Sequence, residues 1–130
     1  MRITYRRVAL GCYVALVLGL TLAPLPQAAY HLASAKGFDK LVHFLMFGGF
    51  AVLLYWNLLP AGSPGLWRVV VPSAAFAALV ELLQAPLPYR TADVWDFFWG
   101  AVGALAAFVA ARRVFRRPHV GFTATSRPPS

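Results

Sequence analysis

The chain has 130 residues and only four acids, Asp39, Glu81, Asp93 and Asp96. Most of what else could do chemistry stands beside them. Asp39 is followed by Lys40 and, four residues on, by His43. Glu81 is followed three residues later by Gln84. Arg90 precedes Asp93 by three, and Asp93 precedes Asp96 by three. Residues three or four apart stack on one face of a helix, so each fragment presents a polar pair if it is helical. A histidine among carboxylates can move protons as a general acid or base. Carboxylates with a lysine and an arginine can hold the charged head of a ligand, the arginine reading a phosphate. Histidine and carboxylates are also metal-ligand types.

Side chains this polar need unusual support in this chain, which is 60% hydrophobic and only 12% charged. A soluble domain carries about twice that charged fraction. Four apolar segments, residues 8–25, 41–59, 67–85 and 94–111, approach or reach the roughly 20 residues that span a bilayer. Proline- and glycine-rich connectors separate them, "PAGSPG" from Pro60 and "APLPYRTAD" from Ala85. The expected fold is all-α, a polytopic bundle of four transmembrane helices over residues 1–117. A polar tail with three prolines follows over 118–130 and is expected to be disordered. The first segment has the basic start of a signal peptide, "MRITYRR", but "PLPQAAY" lacks a small-x-small cleavage site. Too few apolar residues precede Cys12 for a lipoprotein signal, so a retained first helix is expected. Cys12 is the sole cysteine, which excludes an intramolecular disulfide and a cysteine metal cluster.

The net charge of +8 comes in short basic clusters flanking apolar runs, and no groove-reading motif accompanies it. It therefore points to membrane topology, with no nucleic acid as partner. With both termini cytoplasmic, the inner side holds nine basic residues (Arg2, Arg6, Arg7, Arg68, Arg112, Arg113, Arg116, Arg117 and Arg127) and the outer side three, Lys36, Lys40 and Arg90. That asymmetry is the positive-inside pattern. On this topology all four acids, with His43, Gln84, Lys36, Lys40 and Arg90, fall on the outer side. Three helix ends then present polar pairs at similar depth, and a shared cluster is the economical arrangement. Asp39 can instead be a helix cap, and Asp93 with Asp96 an acidic variant of a capping box. Capping does not explain Glu81, which lies near a helix C-terminus where the macrodipole opposes a negative charge. Arg90 and His43 are its expected partners. Three outer cations nearly balance four acids, and no His-x-x-x-His or Glu-x-x-His spacing occurs. That suits an ion-pair network, with no metal and no cofactor.

The ordered set Asp39-Lys40-x-x-His43-Phe44-x-x-Phe47, Glu81-x-x-Gln84, Arg90-x-x-Asp93-x-x-Asp96 and Gly103 resembles the VanZ-like family of small bacterial membrane proteins, named for a member linked to resistance to teicoplanin, a lipid-bearing glycopeptide. The resemblance covers residues 38–103 and departs at Gly100, where the family usually has asparagine, and at Ala107, where it has glycine. It implies a multi-pass protein of the bacterial plasma membrane, a polar outer site and a link to the cell envelope and antibiotic resistance. It does not supply a reaction.

Small residues mark faces where helices can approach closely: Gly11, Ala15 and Gly19 on the first, Ser73, Ala74, Ala77 and Ala78 on the third, and Gly100, Gly103, Ala104, Ala107 and Ala111 on the fourth. They are expected to pack one bundle, with oligomerisation as the alternative. Trp56, Trp67, Trp95 and Trp99 suit interfacial anchors, and Phe44 and Phe47 suit packing.

Three functions fit these residues. The first is binding, with Asp39, Lys40, His43, Glu81, Gln84, Arg90, Asp93 and Asp96 holding an amphipathic or lipid-linked envelope molecule among membrane lipids. The second is an enzyme, with His43 or Glu81 as acid or base on a lipid-linked precursor and Lys40 with Arg90 on its phosphate. The third is a structural cluster that fixes helix register. No Gly-x-Ser-x-Gly nucleophile motif is present.

Overall fold

The apolar runs fold as helices, and the polar residues at their ends extend those helices. The computed structural model describes residues 2–24, 37–90 and 92–115. Helix α1 is Arg2–Leu22, α2 is Phe38–Leu58, α3 is Leu66–Gln84 and α4 is Val94–Val114, with one 3-10 turn, Leu59–Ala61, after α2. No strand occurs among the described residues. All four helices are long and apolar enough to cross a membrane; at 1.5 Å per residue, 20 residues cover about 30 Å. The tail from Pro118, and Lys36, lie outside the described residues.

The helices overrun their apolar runs because Arg, Lys and Asp are tolerated in a first or last turn. α1 begins at Arg2 and so includes Arg6 and Arg7, and α4 continues through Arg112 and Arg113. Cations suit that last turn of α4, where the dipole is negative. α2 begins at Phe38, directly after Gly37, whose φ of 92° is open to glycine and strained for other residues. Gly37 takes the cap position with no side-chain cap, and Asp39 lies inside the first turn. The capping alternative for Asp39 therefore does not hold.

α2 and α4 pack most intimately, and glycine is the reason. A Cβ on Gly103 would fall on the backbone of Phe44, and one on Gly48 would lie 3.2 Å from the carbonyl of Gly103. Gly100 faces the ring of Phe47, where a Cβ would be 2.6 Å from Cδ2. The space beside Gly100 is thus filled by an aromatic ring, and the contact at this position is apolar. Below this seam, Ala51, Tyr55, Val69, Ala104, Phe108 and Ala111 form one buried cluster. Toward the other end Val17, Phe47, Ala77 and Val80 form a second.

α1 joins through Tyr13, Val17 and Thr21, spaced by four. The Tyr13 hydroxyl donates to the Met46 carbonyl at 2.9 Å, and Val17 and Thr21 are buried. The stripe Gly11, Ala15, Gly19 faces the other way: all three are exposed, and no atom lies within 4 Å of a Cβ built on either glycine. This corrects the expectation that this stripe packs the bundle. The stripes of α3 and α4 do face inward, except that Ala78 lines a groove described below.

Two hydrogen bonds hold α1 antiparallel to α2. Arg6 Nη1 donates to the Trp56 carbonyl at 3.0 Å with its guanidinium 4.8 Å above that indole, and Asn57 Nδ2 donates to the Arg6 carbonyl at 3.0 Å. α2 and α4 run parallel, and at their shared C-terminal end the Tyr55 ring stacks on Phe115 with centroids 5.9 Å apart. Arg6, Arg68, Arg112 and Arg113 thus share one end of the bundle, and the acids share the other.

Candidate functional site

His43 is the centre of the acidic end. It lies 5% exposed in the second turn of α2. Its Nδ1 is 3.1 Å from the Asp39 carbonyl, one turn back. A carbonyl only accepts, so Nδ1 carries a proton. Nε2 is 3.2 Å from Glu81 Oε1, but without the alignment of a hydrogen bond, and both atoms are buried with no other partner. Glu81 is answered at its other oxygen: the backbone N–H of Asp93 donates to Oε2 at 3.1 Å. A carboxylate at the unfavourable end of α3 thus finds the favourable end of α4, as well as the imidazole.

Asp93 caps α4. Its Oδ1 accepts from the backbone N–H of Trp95 at 2.9 Å, and its Oδ2 lies 3.6 Å from Lys40 Nζ. Asp96 sits three residues on, 3% exposed, but does not return a bond to the Asp93 N–H; Glu81 takes that place. Asp96 instead faces Lys40 Nζ at 3.7 Å and His43 Nδ1 at 4.0 Å. Asp39 Oδ1 lies 3.7 Å from His43 Nδ1, with the Asp39 side chain half exposed. The Phe47 ring stands 5.9 Å from the imidazole and closes the inner side of the site.

The cap predicts a simple series. Asp93→Asn, which can still accept from Trp95, should lose less than about 0.5 kcal/mol of thermal stability in detergent, and Asp93→Ala about 1–2 kcal/mol. Equal losses would mean that the charge facing Lys40, and not the cap, stabilises this end.

Six of the eight expected site residues therefore meet: Asp39, Lys40, His43, Glu81, Asp93 and Asp96. Gln84 and Arg90 go elsewhere. Gln84 Nε2 donates to the Thr21 carbonyl at 2.9 Å, and Arg90 Nη2 donates to the carbonyls of Leu20 and Ala23, each at 2.9 Å. The Tyr89 hydroxyl donates to the Leu22 carbonyl at 3.0 Å. The last carbonyls of a helix have no partner within it, and three side chains from the far end of α3 and the turn after it supply donors to α1. No ion pair joins Arg90 to Glu81 or to any acid among the described residues. Of the outer cations expected to balance the acids, Arg90 is turned away and Lys36 lies outside the described residues; among the described residues the four carboxylates face Lys40 and His43.

Asp39, His43 and Asp96 can bring three ligand atoms within 4.8 Å of one another, a spacing a metal could accept. Two features oppose one there. The Lys40 ammonium already bridges Asp96 and Asp93, and the His43 nitrogen on that side carries the proton given to Asp39.

The side of Glu81 away from His43 opens onto a groove of about 360 Å³ between α3 and α4, lined by Ala78, Glu81, Leu82, Ala85, Ala92, Asp93, Val94 and Phe97. Its apolar walls went unread in the sequence. The signal was there: positions 78, 81, 82 and 85 follow the helical period on one face, with alanines flanking the acid.

A family model described as VanZ/LLP1 matches residues 10–116. No curated protein and no solved structure matches the chain. The family match spans α1 through α4, from the first buried contacts of α1 to the last turn of α4, and its four helices can each cross a bilayer; the chain belongs to the VanZ/LLP1 family of membrane proteins.

Proposed function

We propose that this chain is a multi-pass protein of the bacterial plasma membrane, both termini cytoplasmic, that binds an amphipathic or lipid-linked cell-envelope molecule at its outer face. The polar head meets the His43–Glu81–Asp93 end, and the apolar part lies against the helices. One observation carries the reading: the groove beside Glu81 is apolar except for two carboxylates that belong to the cluster. Pockets for small ligands are commonly apolar with a few placed polar groups. An ionisable group at membrane depth commonly faces a functional cavity. Through such binding the protein lowers susceptibility to teicoplanin, by capturing the drug or by altering its target at the surface.

The acid–base alternative has less support. It needed Arg90 and Lys40 to hold a phosphate, but the Arg90 guanidinium is engaged by the carbonyls of α1 and Lys40 by Asp93 and Asp96.

Two arms test the reading. A reporter inserted after Ser63 should be cytoplasmic and one at Tyr89 external; the reverse would put the site on the wrong side of the membrane. Expression in a susceptible bacterium should raise teicoplanin tolerance, with little effect on a glycopeptide lacking the lipid tail. Equal effects on both would separate the protein from amphiphile binding.

A further inference from the structure

The charges at this end specify the ligand. The charged groups facing one another are Asp39, Lys40 and His43 of α2, Glu81 of α3, and Asp93 and Asp96 of α4, with Arg90 turned to α1. Among the described residues, four carboxylates against one ammonium and one imidazole leave an excess of negative charge whichever form His43 takes. Two side chains more than nine-tenths buried, His43 and Asp96, hold Nε2 and Oδ1 with no hydrogen-bond partner, and Glu81 Oε1 is buried likewise. Buried polar atoms are seldom left so, and apolar walls concentrate the field of such a cluster. On the Asp96 side Lys40 supplies a cation. On the Glu81 side the imidazole of His43 faces one oxygen, and the groove of about 360 Å³ on the other face is lined by two carboxylates and by no basic residue among the described ones.

Building on the binding reading above, we propose that the head of the ligand is an ammonium. A cationic amphiphile would set its amine against the Glu81 and Asp93 carboxylates that border the groove and lay its hydrocarbon chain along Ala78, Leu82, Ala85, Val94 and Phe97. The apolar walls favour this over a bare metal ion, which would leave them uncovered. They also favour it over an anionic lipid, whose head would meet Glu81 and Asp93.

The test uses the full chain in phosphatidylcholine nanodiscs and three photoreactive probes with one diazirine-bearing alkyl tail and different heads: a primary ammonium, a sulfate and a maltoside. The ammonium probe should bind about tenfold or more tighter than the sulfate, as a charge-assisted hydrogen bond allows, and label the segment from residue 78 to 97. Glu81→Gln should bring it down to the maltoside. Ala78→Leu, which fills the groove and keeps every charge, should weaken all three probes alike. Equal binding of the three heads by the wild type, or tighter sulfate, overturns the cationic ligand and leaves amphiphile binding standing. No labelling of the segment by any probe removes both. The comparison of heads on the wild type decides even if Glu81→Gln fails to fold.

Discussion

Gly103→Ala is expected to lose about 3 kcal/mol or more, enough to deplete the folded protein, while Gly11→Ala is expected to stay within about 0.5 kcal/mol of wild type. The difference lies in what one methyl group meets. At Gly103 it would strike the backbone of Phe44, including the carbonyl carbon and Cα at 2.8 Å. No rotamer removes that clash, because the obstacle is another helix's main chain. α2 and α4 must move apart, and the separation propagates to His43 and Asp96, which those helices carry. Overpacking a close-fitted core costs about 1–3 kcal/mol when side chains can adjust; a backbone contact sits at or above the top of that range. Total stabilities of about 5–15 kcal/mol make the loss visible. Gly11 meets nothing within 4 Å, so its methyl group enters open space. Thermal stability of the two variants in detergent checks the pair. A Gly103→Ala protein as stable as wild type would contradict the α2–α4 packing.

The second large effect separates shape from charge at Glu81. Glu81→Ala takes the acceptor from the Asp93 N–H and opens a void beside His43 Nε2, which the carboxylate faces at 3.2 Å. Removing one member of a buried polar pair costs about 3–5 kcal/mol. Relief of repulsion among the remaining acids offsets part of this, so a loss of about 2–4 kcal/mol is expected. Glu81→Gln behaves differently. Its amide oxygen still accepts from the Asp93 N–H, and its NH2 can donate to His43 Nε2, whose lone pair is free when Nδ1 carries the proton. Shape and partners survive while a charge disappears from an overcharged cluster. Stability should change by less than about 1 kcal/mol, since functional sites commonly hold charges the fold does not need. Thermal unfolding of the two variants side by side measures this. If glutamine costs as much as alanine, the negative charge itself holds the bundle together.

The order of the acids, and the helices that carry them, were legible in the sequence. So was the need of Glu81 for a partner, because a carboxylate near a helix C-terminus demands one. Arg90 and Gln84 were not legible. Helical spacing says which residues share a face, but not which neighbouring element that face meets. The acids looked like the natural partners for Arg90, yet the free carbonyls at the end of α1 compete for any donor in reach. Leu20, Thr21, Leu22 and Ala23 advertise nothing in their side chains, so the competition is hidden. The Gly11, Ala15, Gly19 stripe misled for a related reason. Tyr13, Val17 and Thr21 have the same spacing, and in a membrane a lipid-facing side chain can be as apolar as a packed one. Gly103 was legible as a small-residue contact, but its closeness to Phe44 depends on the path of both helices.

The central claim is that the acidic end binds a ligand and is more than a brace between helices. Glu81→Gln tests it most directly, with thermal stability, retention of the amphiphile and teicoplanin susceptibility measured on the same preparation and normalised to folded protein. The expected result is a melting temperature near wild type with amphiphile retention and drug tolerance both lost. A large fall in melting temperature, with retention and tolerance per folded molecule unchanged, would contradict the claim and leave the cluster as a structural brace.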